Sequence, residues 1–369
     1  MRLNCSVALL SGALSAVTRA IAARSTIQIM EGVLVQARED GVTLTCADTG
    51  IGIEMGLEAR VSEAGSCVLP GKLFAEIVRK LPQEAEIDIS VDEKNMAALR
   101  CLKSKTTLAG FPAEEFPPLP VIKNPEEIGL PRKTLRDMIQ RTSFAIATDE
   151  TRPILMGCLL EASGDTLSMV ALDGFRLALR KAKLPEGLPD MSVVVPGKAL
   201  NEIARILDES EEPVALEYGK THLSVSMGGV RIVARLLEGE FIRYQQILPT
   251  EWQTRIVAQK STLDKAIDLA SLMAREGKNN LVKLHIEEGT LLITSNADLG
   301  DVREEIPIDF EGRELDIAFN VRYISETLRV VEDEDIELRF NSNVSPCVIC
   351  PTSGDHFLYL ALPVRVFSS

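Results

Sequence analysis

Along much of this chain apolar and polar residues alternate in short runs that end at turn residues, the pattern of half-buried strands. Three such runs, 42–47, 167–172 and 291–297, each lead into an aspartate, and those aspartates, Asp48, Asp173 and Asp298, stand 125 residues apart. Each run has a partner upstream. Segments 27–37, 155–161 and 281–286 precede them across Arg38-Glu39-Asp40-Gly41, Ser163-Gly164-Asp165 and Glu287-Glu288-Gly289, which are hairpin turn signals. Between the strand-like runs the spacing becomes helical. A first helix is predicted over 7–20, 132–144 and 261–274, where Leu10, Leu14 and Val17 correspond to Leu135, Ile139 and Thr142 and to Leu263, Ile267 and Ala270. A second is predicted over 71–81, 197–207 and 320–331. There 70–81 recurs almost in register as 196–207, and the third copy keeps Arg322, Glu326, Arg329 and Val331 in step.

A repeat of this length fixes the architecture before any motif is considered. Three units of about 120 residues, each able to bury its own core, are expected at 1–125, 126–250 and 251–369. Turn-rich stretches at 116–125 and 248–251 fall at the boundaries. Two helices and several antiparallel strands per unit make the fold class α+β, with the helices gathered on one face of the sheet.

The seven cysteines sit mostly inside apolar runs and are odd in number. Reduced, buried thiols and a cytoplasmic location follow. Cys347-Val348-Ile349-Cys350 imitates a metal or redox motif, but it lies in a strand-like run and no second pair completes a zinc set. No cofactor or metal is expected. Residues 2–23 imitate a signal peptide, yet their helical positions recur inside the chain, as a secretion signal would not. No apolar run reaches the roughly 18 residues of a membrane span.

With 40 Lys and Arg against 54 Asp and Glu the chain is strongly acidic, which by itself argues against nucleic acid. Sorting the charges by element reverses that reading. The six helical windows, taken with their flanking residues, hold sixteen basic and six acidic residues. Basic helices on an otherwise acidic protein form a footprint for a polyanion. Neither a recognition-helix signature nor a phosphate-cradling glycine loop is present, and aromatics are few, so the contact expected is to phosphates and independent of sequence.

Several segments carry a family resemblance. Thr148-Asp149-Glu150-Thr151-Arg152-Pro153-Ile154-Leu155-Met156-Gly157, Ala171-Leu172-Asp173-Gly174-Phe175-Arg176-Leu177-Ala178 and Tyr359-Leu360-Ala361-Leu362-Pro363-Val364-Arg365-Val366, set in a threefold α+β repeat, resemble the β subunit of bacterial DNA polymerase III, the sliding clamps. The resemblance extends over the full length. It implies the DNA-clamp fold, a head-to-tail homodimeric ring with helices lining the hole and sheets outside, and a role as a replication processivity factor on double-stranded DNA. It also implies a hydrophobic groove for short peptides of the polymerase III catalytic subunit, the clamp loader and other proteins bearing a clamp-binding motif. Transferred to this chain, the groove comprises Arg152, Leu155, Leu172, Gly174, Phe175, Arg176 and Leu177, a rim including Ile242 and Ile247, and Leu360, Leu362, Pro363, Val364 and Arg365. Leu172, Phe175, Ile242 and Gln246 depart from the family's best-known pattern and make the groove more apolar and its rim less positive. Residues 367–369 extend past the family's usual end. At another expected DNA contact of the family this chain has Asp149.

Arg24, which matches a family DNA contact, Lys72, Arg79, Lys198 and Arg205 are the expected DNA-facing residues, acting as an aggregate field. A row of sheet-forming repeats leaves an unpaired edge at each end, so strand 103–110 of one copy is expected to pair with 302–308 of another. Leu108 against Leu272 and Met273, and Lys103 or Lys105 against Glu304 or Glu305, are the candidate contacts. No enzyme is expected, because His222, His285 and His356 are scattered and none sits beside a nucleophile or a metal set. The other readings are a clamp paralogue serving repair or drug resistance, and an interaction scaffold that never touches DNA.

Overall fold

The computed structural model describes residues 1–21, 27–185, 187–277 and 280–365. Helices form at all six expected places: α1 Val7–Val17, α2 Gly71–Arg79, α3 Arg132–Gln140, α4 Gly197–Ile206, α5 Lys260–Glu276 and α6 Val321–Val330. Each buries a stripe at i, i+3/i+4 spacing. Phe74 and Val78 do so in α2, Leu135, Met138 and Ile139 in α3, and Ile324 and Leu328 in α6. Lys72, Arg79 and Lys80 remain exposed on the other side of α2. Asn320 caps α6 by accepting the Arg322 backbone N–H at 3.0 Å.

Two expected strand beginnings differ. Segments 27–31 and 153–156 are short 3-10 turns, and the strands start at Gly32 and Gly157. Proline at 153 has no N–H to give a ladder and fixes φ for a turn. In the first repeat the Met30 N–H turns back to the Ile27 carbonyl at 3.0 Å. As a result Met30 and Leu155 are buried from the side of the sheet rather than from within it.

The chain folds into two compact units, Met1–Lys133 with Asn201–Leu236, and Thr134–Leu200 with Leu237–Ser369. The middle repeat gives strands to both, because its ladders continue into its neighbours. In the first unit Ile232 pairs with Ile53 in an eight-stranded sheet, and in the second Ala178 pairs with Tyr359 in a nine-stranded one. The first unit also has a five-stranded sheet whose last strand is Ser104–Ala109. The second has a four-stranded sheet that begins with Gly300–Pro307. Among the described residues the strands pair antiparallel, so one face can be buried while the other meets solvent. In the first unit α1 packs on Gly41–Ala47, Ile51–Leu57 and α2, and in the second α5 packs on Thr290–Ala297, Gly300–Pro307 and α6.

All seven cysteines are free and buried. Burial pushes two of the thiols, Cys5, with help from Glu86, and Cys158, against a hydrogen bond with Thr142, up to about 12.

Candidate functional site: an apolar groove in the second unit

In the middle repeat, period-2 alternation puts Leu159, Val170 and Val194 side by side on the face away from the helices, since Leu159 pairs with both Val170 and Val194. Leu172, Leu177 and Leu179 extend this floor, and Leu155 reaches it from its 3-10 turn. Leu237 donates its N–H to the Val194 carbonyl at 2.9 Å and leads the following segment over the face. Phe241 and Tyr244 are buried there, with the Tyr244 hydroxyl on Glu161 at 3.0 Å, while Ile242 and Ile247 are 40% and 41% exposed at the rim. Burial, the Glu161 charge and the Glu161 hydrogen bond all raise the Tyr244 hydroxyl, which therefore stays protonated.

The C-terminal strand Phe357–Ala361 closes the other side. Leu360 pairs with Leu177 and is buried, and the Leu362 N–H donates to the Phe175 carbonyl at 2.8 Å with Leu362 packed on the same cluster. Two residues on, the Val364 N–H donates to the Ala318 carbonyl at 2.7 Å. Pro363 and Val364 are half-buried, and Arg365 is exposed.

A polar hub holds the mouth. Asp173 ends its strand by accepting the Phe175 and Arg176 N–H groups at 2.8 and 3.0 Å, the strand-end role that its repetition at 48 also has, where Asp48 accepts from Gly50 and Ile51 at 2.8 Å. Gly174 adopts φ +94°, and a Cβ there would lie 2.8 Å from an Arg152 guanidinium nitrogen. Arg152 crosses this spot to donate to the Asp173 carbonyl at 2.9 Å. Expected as part of the wall, Arg176 is instead only 7% exposed and turned inward. It binds Asp173 at 3.0 Å, Glu326 of α6 and the Phe144 carbonyl, and its guanidinium lies 5.3 and 5.1 Å from the Phe144 and Tyr323 ring centres. Burial alone would raise the Glu326 carboxyl, but hydrogen bonds from Arg176 and Arg322 hold it below the usual carboxylate range. Phe175, 55% exposed, stacks on Tyr323 at 6.1 Å.

Of the expected groove residues, Leu155, Leu172, Leu177, Leu360 and Leu362 share one apolar cluster, Phe175, Ile242 and Ile247 are exposed, Arg176 is turned inward and Val364 is held on the Ala318 carbonyl. Tyr323, Phe144 and Glu326 were missed as members of the site. Glu326 had appeared only as a repeat position, and nothing in the sequence ties α6 to the turn at 173–176.

Of the expected DNA-facing residues, Arg24 lies outside the described residues. Lys72, Arg79, Lys198 and Arg205 are exposed, with Arg205 paired to Glu202 at 2.8 Å. Strands Ser104–Ala109 and Gly300–Pro307 are sheet edges. Leu108 is buried by its own unit at 6% exposure, because its side chain faces inward from the edge, so it offers no free apolar contact. Leu272 is 59% exposed, Met273 and Glu304 are half-buried, and Lys103, Lys105 and Glu305 are exposed.

Models of the DNA polymerase III beta subunit match at residues 1–120 for the N-terminal domain, 129–242 for the central domain and 245–365 for the C-terminal domain. The chain is 36% identical over 365 residues to the beta sliding clamp of Halalkalibacterium halodurans, covering 95% of this chain and 96% of the relative. It is 32% identical over 359 residues to that of Staphylococcus aureus, covering 95% of each. The crystal structure of the Bacillus subtilis DNA polymerase sliding clamp superposes with a TM-score of 0.96 at 34% identity, covering 100% of both chains. A Pseudomonas aeruginosa sliding clamp bound to griselimycin superposes with 0.93 at 27% identity, over 99% of this chain and 100% of that one.

Proposed function

The chain belongs to the DNA polymerase III beta subunit family, the sliding clamps, and we propose that it serves as the replication processivity factor that holds a polymerase on duplex DNA by enclosure. The observation that carries this is an apolar groove: a buried floor of Leu155, Leu172, Leu177 and Leu360 bordered by exposed Phe175, Ile242 and Ile247 and by the tail 362–365. Apolar side chains exposed together favour a partner's side chains. A short peptide with a glutamine and a leucine–phenylalanine pair, from the polymerase, the clamp loader or another clamp-binding protein, fits that shape and chemistry. The chain's own domains are taken as 1–125, 126–250 and 251–369. Two copies close head to tail through the edges Ser104–Ala109 and Gly300–Pro307, with exposed Leu272 beside the second edge and Lys103 or Lys105 facing Glu304 or Glu305.

The bound DNA is held by a field and no reaction is catalysed. Lys72, Arg79, Lys198 and Arg205, with Arg24, supply it. Protein loaded onto nicked circular DNA should stay bound at a salt concentration that strips it from linear DNA. Reversing those four exposed charges should flatten the logarithmic salt dependence of DNA association by roughly one unit per lost phosphate contact. Equal retention on linear and circular DNA, or a sequence-specific footprint, would overturn the reading.

A further inference from the structure

The three repeats present the same sheet position three times, and the ladder register makes the equivalence explicit. Leu34 pairs with Thr45 and Val68 in the first, Leu159 with Val170 and Val194 in the second, and Lys283 with Thr294 and Ala318 in the third. In each, the last of these receives a backbone N–H from the segment that follows the sheet: Phe111 to Val68 at 2.9 Å, Leu237 to Val194 at 2.9 Å and Val364 to Ala318 at 2.7 Å. The first face is covered by Phe111, Phe116 and Leu119, and the second is the groove. The third differs in chemistry. Leucine and valine have become Lys283, Thr294 and the small Ala318, and a pocket of about 360 Å³ opens there, lined also by His285, Asp316, Asn343 and Val364.

The charges of this pocket are unequally satisfied. His285 donates one ring nitrogen to Asp316 at 2.8 Å and faces Glu287 with the other at 3.6 Å. Among the described residues Lys283 forms no ion pair. Its ammonium, the Thr294 hydroxyl on the paired strand and the Asn343 amide put hydrogen-bond donors into the pocket beside the His285–Asp316 pair.

We propose that this pocket takes a carboxylate, the acidic side chain of the same partner peptide that fills the groove. The proposal rests on the groove reading of the preceding subsection. Continuity supports it. Leu362 packs on the groove floor and Val364, two residues along the same tail, lines the pocket, so the two sites are separated by about 7 Å of extended chain. A peptide anchored in the groove needs only two or three further residues to cross the tail.

The test compares a peptide containing a glutamine and a leucine–phenylalanine pair with versions extended at either end by Asp-Asp or Asn-Asn. These are titrated into the full-length protein and into Lys283→Met. One Asp-Asp extension should strengthen binding by about five- to tenfold over its Asn-Asn control, the size of a charge-assisted contact at a partly exposed site. Lys283→Met should erase that advantage while binding the unextended peptide unchanged. An advantage of equal size in Lys283→Met, or none in the native protein, overturns the proposal. If the advantage appears only after residues 366–369 are removed, the chain's own terminus is the occupant and the proposal likewise fails. Should the unextended peptide not bind at all, the groove reading has failed separately. Acetyl-Asp-Asp-Asp amide, titrated against the amide resonances of Thr294 and Ala318, then decides the pocket alone, and the absence of shifts that Lys283→Met abolishes would overturn it.

Discussion

The first and middle repeats build the same sheet position and finish it differently. In the first unit, Met30, Ala47 and Val68 are covered by Phe116, with Phe111 and Leu119 packed against them. In the second unit the corresponding floor is bordered by Phe175, Ile242 and Ile247, which stay exposed. The segment that follows differs, Phe116-Pro117-Pro118-Leu119-Pro120 in one and the turn Tyr244–Gln246 in the other. The strands differ as well: Thr45, Ala47, Gly52 and Glu54 stand where the middle repeat has Val170, Leu172, Leu177 and Leu179. At one of these, a Cβ on Gly52 would lie 2.3 Å from the Leu119 Cδ2. Through Leu119 the first unit packs an aliphatic side chain of its own against its face. How such a face is finished is thus decided both by its strand residues and by the segment that follows the sheet.

The comparison breaks most visibly if the groove is destroyed and the closed face is untouched. Deleting 362–369 removes Leu362 from the groove floor, and a central anchor in a desolvated pocket is worth about 2 kcal/mol or more. Calorimetric titration of a leucine–phenylalanine peptide should show a loss of more than about 30-fold, with the oligomeric state in sedimentation unchanged. Equal affinity would place the peptide elsewhere. A smaller effect is expected on the closed face. Gly52→Ala drives a methyl into Leu119 and should destabilise the protein by about 1–3 kcal/mol, as overpacking does, read as a lower denaturation midpoint. Combining it with Leu119→Ala should recover much of that cost, a coupling that a double-mutant cycle measures. Additive losses would mean that Leu119 does not fill the face.

The smallest effect sharpens how the groove's border is held. The folded Glu326 carboxyl lies below its ordinary value, so its contribution is fully present above the ordinary glutamate pKa of about 4.3. That contribution is lost as pH falls through the lowered folded value. Native protein should therefore bind the groove peptide about two- to fivefold more tightly than Glu326→Gln at neutral pH. The gap should close only below about pH 4. A gap that closes between pH 5 and 7 would point to a histidine instead.

Much of this was legible because the pattern is written three times. The helices, the hairpins and the sheet edges all lie where the periodicity places them, since amphipathic spacing and turn residues are local signals. Residues 28–31 and 155–156 lie in 3-10 turns where the pattern predicts strand, because a short apolar run has no period of its own to report. The covering role of Phe116 and Leu119 is hidden for a different reason. Prolines at 117, 118 and 120 read as a boundary, and only the glycine at 52, isolated in a strand pattern, signals that something approaches closely. The inward turn of Arg176 depends on Glu326, 150 residues away, and no local pattern carries such a pairing.

The burial of every cysteine gives this molecule a built-in clock. Cys5 lies in the five-stranded sheet, Cys46 and Cys67 in the eight-stranded one, and Cys158, Cys347 and Cys350 in the nine-stranded one, each inside its ladder. A buried thiol whose ionisation is suppressed is a poor nucleophile, so an alkylating reagent reacts only during the moments when the surrounding strands part. The rate at which each sulfur is consumed, identified by mass spectrometry, therefore reports the opening free energy of its own sheet. The buried sulfurs thereby offer a position-resolved account of which parts of the chain come undone first.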